Sequence, residues 1–207
     1  MPHSTRRRRV LRWLSASAVA STLPATGRSQ TATDAASNNV LIVYLTRTRN
    51  TEVLARIMQT HTGGTLASLA VQTPYPANYD AHVDQVAREN ARGFLPPLNK
   101  PVDPARYSTV LVGFPTWGMQ LPPPVKSWLS QVDLRGKRVL PFNTHAEYGV
   151  GTGFDTVRAL AEGADVLQGL SIQGGYEKRG LLLGLQGDKI QQADTQAKAW
   201  LARHGLT

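Results

Sequence analysis

The sequence predicts an α/β fold built on a doubly wound, five-stranded parallel sheet with helices on both faces. Two observations carry this reading. Five short apolar runs alternate with five helix-like segments over about 170 residues, the order expected of strand–helix–strand units. The clearest of these runs are apolar without a break and rich in β-branched residues, as strands covered on both faces are. Right-handed crossovers and short connections then favour a doubly wound sheet, whose ligands sit beyond the carboxyl ends of the strands.

Val40 to Leu45 is the first such run. Thr51 is placed to cap the following helix, in which Val53, Leu54, Ile57 and Met58 fall at helical spacing. A weaker strand is expected from Thr65 to Val71, after Gly63-Gly64, and then a helix from Tyr79 to Arg92 with a thin apolar face. Ser108 to Phe114 repeats the buried-strand pattern and is stopped by Pro115. Pro123 to Val132 suits a helix, because its prolines fall in the first turn, where a missing N–H is least felt. Lys137 to Phe142 reads as the fourth strand. Thr152 to Gly163 reads as a helix with Phe154, Val157 and Leu160 on one side, and Ala164 to Ile172 as the fifth strand. Ile190, Ala193, Ala197, Trp200 and Leu201 share one face of a closing helix.

The 207 residues are 41% hydrophobic and 18% charged, which excludes global disorder, a collagen and a coiled coil. The absence of cysteine excludes disulfides, thiolate metal sites, iron–sulfur clusters and a lipoprotein anchor. A net charge of +9 raises nucleic acid as a partner. Its distribution argues against one: residues 1–37 hold six arginines against Asp34 alone, leaving +4 for the rest, with no basic stripe interleaved with aromatics. Behind Arg6 to Arg9 comes a short, weakly apolar stretch rich in Ala and Ser, the composition of an export signal. Arg7-Arg8-Arg9-Val10-Leu11-Arg12 resembles the twin-arginine signal. Residues 1–37 are therefore expected to form a twin-arginine signal peptide and polar segment, read by that export machinery, and 38–207 a periplasmic domain with no membrane-spanning segment.

Three loops at predicted strand ends carry the chemistry. Thr46-Arg47-Thr48-Arg49-Asn50-Thr51 offers three hydroxyls and an amide at a helix start, a cradle for phosphate. This loop resembles the FMN-phosphate loop of the flavodoxin-like family, with Thr46, Thr48 and Thr51 at the three hydroxyl positions and Arg49 where a glycine is usual. Pro115-Thr116-Trp117-Gly118-Met119, followed by prolines before a helix, resembles the family's flavin-ring loop, where an aromatic ring stacks on the isoalloxazine. Thr144, His145, Tyr148, Gly149 and Gly151 fall in a glycine-rich turn similar to the third flavin loop of one branch. Pro74-Tyr75-Pro76 and Tyr79 also echo that branch.

The resemblance implies strand order 2-1-3-4-5, noncovalent FMN, and a role as oxidoreductase or electron carrier whose donor and acceptor the sequence does not name. Such a chain needs few or no catalytic side chains. The alternative on the same scaffold is a flavin-free binding module for another phosphorylated or acidic ligand, with Arg47 and Arg49 as its anion-binding residues.

Overall fold

The structure, a computed structural model, describes residues 39–207; the expected signal segment lies outside them. The elements are β1 (Val40–Tyr44), α1 (Asn50–Thr62), β2 (Thr65–Ser68), α2 (Tyr79–Arg92), β3 (Thr109–Pro115), α3 (Pro123–Leu129), β4 (Arg138–His145), α4 (Gly153–Leu160), β5 (Asp165–Val166), β6 (Leu170–Gln173) and α5 (Asp188–Arg203). The strands pair in parallel in the order β2-β1-β3-β4-β5, with β6 also on β4.

Each face of the sheet is buried by helices. On one, Leu54 and Met58 of α1 and Ala197, Trp200 and Leu201 of α5 pack on Ile42, Leu111 and Leu140. On the other, Val125 and Trp128 of α3 and Val157 of α4 pack on Leu41, Val43, Val110 and Val139. Both rows come from the same strands, which is why those strands read as unbroken apolar runs. Burial of this kind contributes about 25 cal/mol per Å² of apolar surface. In α5, Ile190 lies off the buried face and is exposed, and in α4 Leu160 is likewise exposed while Val157 is buried.

Several boundaries differ from the sequence-based expectation. The second strand stops at Ser68, and Val71 makes only an isolated antiparallel bridge to Leu98. Helix α3 stops at Leu129, where Ser130 turns its hydroxyl back onto the Ser127 carbonyl. Strand β4 runs past Phe142 to His145 because its polar residues are satisfied inside the sheet: buried Asn143 donates to the Phe114 carbonyl at 3.0 Å and accepts from Ser171 Oγ at 2.9 Å.

The expected fifth strand is two. Val139 pairs with Val166 and Phe142 with Leu170, so three steps along β4 match four along its neighbour. The extra residue is a bulge, and Trp200 Nε1 donates to the Gln168 carbonyl within it at 2.8 Å.

Helix α2 buries only His82, Val86 and Glu89. Its thin apolar face reflects its position: much of that face borders a cavity at the carboxyl ends of the strands.

Candidate functional site

The cavity has a volume of about 700 Å³, within the usual range for small-molecule sites, roughly 300–1,000 Å³. All the sequence-predicted site residues border it except Thr46, Arg49, Thr51 and Gly151. The three loops thus converge on one space, as the carboxyl-end rule expects.

The first loop turns from β1 into α1 through Arg49, which caps the helix with φ 67° and ψ −5°. This is the left-handed region, where a side chain costs about 1–2 kcal/mol relative to glycine. Arg49 makes no capping bond; it points outward, 70% exposed, and its Nε lies 3.6 Å from Glu52. The amides of Asn50, Thr51 and Glu52 open α1 and have no partner within it. Thr46 Oγ1 is buried with no hydrogen-bond partner among the described residues. Thr48 Oγ1 accepts from Asn50 Nδ2 at 2.8 Å, which leaves its own proton free to donate. Thr51 and Thr144 share one hydrogen bond, 2.8 Å long, between their buried hydroxyls, so one of the two protons also remains free.

Asn50 holds the loop rather than facing a ligand with its amide. Its Nδ2 also donates to the Leu182 carbonyl at 2.7 Å, and its Oδ1 accepts from the amides of Gly184 and Leu185. Arg47 does not turn into the cradle either. Its guanidinium makes two bonds to Glu177, at 2.8 and 2.7 Å, and donates to the carbonyls of Pro76 and Ala77. Both arginines expected near an anion are therefore otherwise engaged: one is a clasp between three loops, the other an outward-facing cap.

In the second loop, Trp117 and Gln120 exchange backbone hydrogen bonds around a turn in which Gly118 and Met119 both have positive φ. Trp117 stands edge-on to His82, with centroids 4.3 Å apart, and to Tyr75, 5.2 Å away. Thr116 Oγ1 donates to the Gly149 carbonyl at 2.9 Å and ties this loop to the third. Gly151 lies so close to Met119 that a Cβ would sit 2.0 Å from its carbonyl oxygen, so no other residue fits there.

His145 Nδ1 accepts from the Gly149 amide at 3.2 Å, placing the proton of the neutral ring on Nε2. Burial keeps its pKa below the usual histidine value. It is thus a neutral donor at the wall of the cavity. Tyr148 is 72% exposed at the rim.

Sequence reasoning missed two contributors. One is α2, whose residue His82 is buried with both ring nitrogens unpartnered among the described residues. Desolvation and, second, the nearby Arg47 charge lower its pKa to about 4. The other is the segment from Gly174 to Lys178 after β6, which also lines the cavity. The signal for it was present: a Gly-Gly pair at the carboxyl end of the last strand, where close backbone approach is needed. A Cβ on Gly175 would lie 2.2 Å from the Leu182 carbonyl.

A family profile described as Flavodoxin matches residues 39–182. The chain belongs to the flavodoxin family. A candidate flavoprotein of Bacteroides uniformis aligns with TM-score 0.63 at 19% identity, over 80% of this chain and 98% of its own. A second candidate flavoprotein, from Bacteroides eggerthii, aligns with TM-score 0.66 at 19% identity, over 82% and 99%. A Lactobacillus acidophilus flavoprotein solved in complex with FMN aligns with TM-score 0.56 at 21% identity, over 66% and 93%. At these identities the likeness is one of fold. No curated protein matches the chain. The strand order 2-1-3-4-5 implied by the resemblance is the one found, with β6 continuing along β4 beyond β5.

Proposed function

We propose that this chain is an exported FMN-binding redox protein, acting as an oxidoreductase or electron carrier. The observation that carries the reading is the first loop. Among the described residues, a buried threonine hydroxyl without a partner, a second hydroxyl with a free proton and three helix-start amides without an acceptor form a cradle rich in donors. A phosphate monoester, doubly charged and acceptor-only, suits such a set. The loop opens on a cavity bordered by Trp117 and by the glycine turn at Gly149, walls suited to a flat ring.

In this reading Thr46, Thr48 and the amides of Asn50, Thr51 and Glu52 hold the phosphate. Trp117 and Met119 cover the ring, and the neutral His145 offers its Nε2 proton to a ring acceptor. Arg47 and Glu177 keep the loops closed around the phosphate end. FMN, when bound, supplies the one- and two-electron chemistry. Residues 1–37 carry the arginine pattern of a twin-arginine signal, a route for folded proteins that would let the domain take up FMN before reaching the periplasm.

The deciding measurement is the absorption spectrum of the chain purified from cells, with FMN added to the stripped protein. The expected result is a bound yellow flavin, released on denaturation as FMN, with the mature domain in the periplasmic fraction. A colourless chain that gains neither spectral shift nor thermal stability from FMN would replace this reading by a binding module for another anion. Retention in the cytoplasm of an Arg7→Lys, Arg8→Lys variant tests the export route separately.

A further inference from the structure

Helix α2 lines the cavity well past the point where Trp117 meets it. His82, Val83, Val86, Ala87, Asn90 and Ala91 recur three and four residues apart along one face and all border the cavity. From His82, against which Trp117 stands, to Asn90 the helix rises about 12 Å. Beyond His82 this wall is apolar: Val83 is 43% exposed, Val86 one turn on is buried, and Met119, which also borders the cavity, is 42% exposed.

The far end is polar and positively charged. The Lys126 ammonium donates to Asn90 Oδ1 at 2.9 Å and to Gln120 Oε1 at 3.3 Å. An ammonium has only donors, so both amide oxygens are fixed toward it and both NH₂ groups are turned to the other side. Asn90 and Gln120 border the cavity, and among the described residues neither NH₂ group has a protein acceptor. Lys126 itself has neutral partners only among those residues, and burial lowers its pKa. A partly buried cation with neutral neighbours and two amide donors before it complements an oxyanion.

We propose that this end of the cavity is a subsite for a flat organic acid, its carboxylate received by the NH₂ groups of Asn90 and Gln120 with Lys126 behind them. Its ring lies between Val83 on one side and Met119 on the other. The inference rests on reading the neighbouring loops as a flavin site, and it gives that redox site a small-molecule partner class.

The test is calorimetric titration of 2-naphthoate into the purified full chain, beside 2-naphthalenemethanol as its neutral counterpart. Saturable one-to-one binding of the acid is expected, weakened about tenfold or more by Lys126→Met and by Asn90→Leu and retained by Lys126→Arg. Flavin absorbance per chain stays the same in all three variants. The alcohol binds more weakly and is indifferent to Lys126→Met. Absence of naphthoate binding to the parent chain, or equal affinity for the parent and Lys126→Met, overturns the subsite. Should Asn90→Leu melt early, Gln120→Leu replaces it under the same criterion. If the chain takes up no FMN, the same titration on the flavin-free protein judges the subsite alone: absorbance reports the flavin reading, and dependence on Lys126 reports the subsite.

Discussion

The imidazole of His82 stands perpendicular to the indole of Trp117, with an interplanar angle of 86°, and among the described residues neither of its nitrogens meets a hydrogen-bond partner. Arg47 and Glu177 are the charged groups that act on it, with opposite signs, and Tyr75 lies against its ring, 5.1 Å away. Desolvation dominates, and the folded pKa falls from 6.5 to about 4. Because the folded value is below the unfolded one, the unfolded chain binds the proton first as pH falls. Stability from this group is therefore full above pH 6.5 and is lost between there and pH 4, by about 3 kcal/mol in all. Urea unfolding at pH 7, 5.5 and 4.5 should show that loss in the parent chain and a smaller one in His82→Phe, which keeps the ring contacts. An identical loss in both would assign it to other groups.

Arg47 and Glu177 are 16% and 20% exposed, and their two-bond pair joins the first loop to the segment after β6. Arg47→Met removes four hydrogen bonds and leaves a half-buried carboxylate unpaired. It should lower stability by about 2–3 kcal/mol. Glu177→Gln keeps one acceptor and should lose less. A double-mutant cycle read by chemical denaturation should give a coupling above about 1 kcal/mol; additivity would mean that the two residues act separately.

Arg49→Gly should stabilise the protein by about 0.5–1 kcal/mol, since the left-handed backbone at this position is relieved. The exposed contact to Glu52 that it removes is worth little. Thermal melts of both chains measure the difference, and a lower melting temperature for the glycine variant would count against strain at Arg49.

Thr46→Val distinguishes a ligand-facing hydroxyl from a structural one. The buried Oγ1 has no partner among the described residues, so the swap should leave the stability of the flavin-free chain unchanged or higher. FMN affinity should fall about tenfold, one charge-assisted hydrogen bond. Fluorescence titration of FMN gives the affinity; destabilisation without a loss of affinity would make the hydroxyl structural.

The sheet was legible in the sequence because strands covered on both faces leave no polar residue to interrupt them: Leu41, Ile42 and Val43 are fully buried. The end of β4 was not, because Asn143 and Thr144 look like loop residues until Phe114 and Thr51, far off in sequence, supply their partners. The same distance hid the Arg47 clasp. An arginine beside a phosphate loop reads as an anion ligand, and only the fold brings Glu177 to it across 130 residues. Helix α2 was visible as a helix, but its face toward an open cavity leaves no apolar stripe long enough to announce its role.

The one-residue bulge between β5 and β6 has a consequence for self-association. An outer strand with an unbroken row of free amides and carbonyls is a template on which a second chain can add. Here that border of the sheet is split into segments of two and four residues whose hydrogen-bonding phase differs by one. A straight strand laid along it can match one segment or the other but not both, so the irregularity guards this edge against runaway sheet growth.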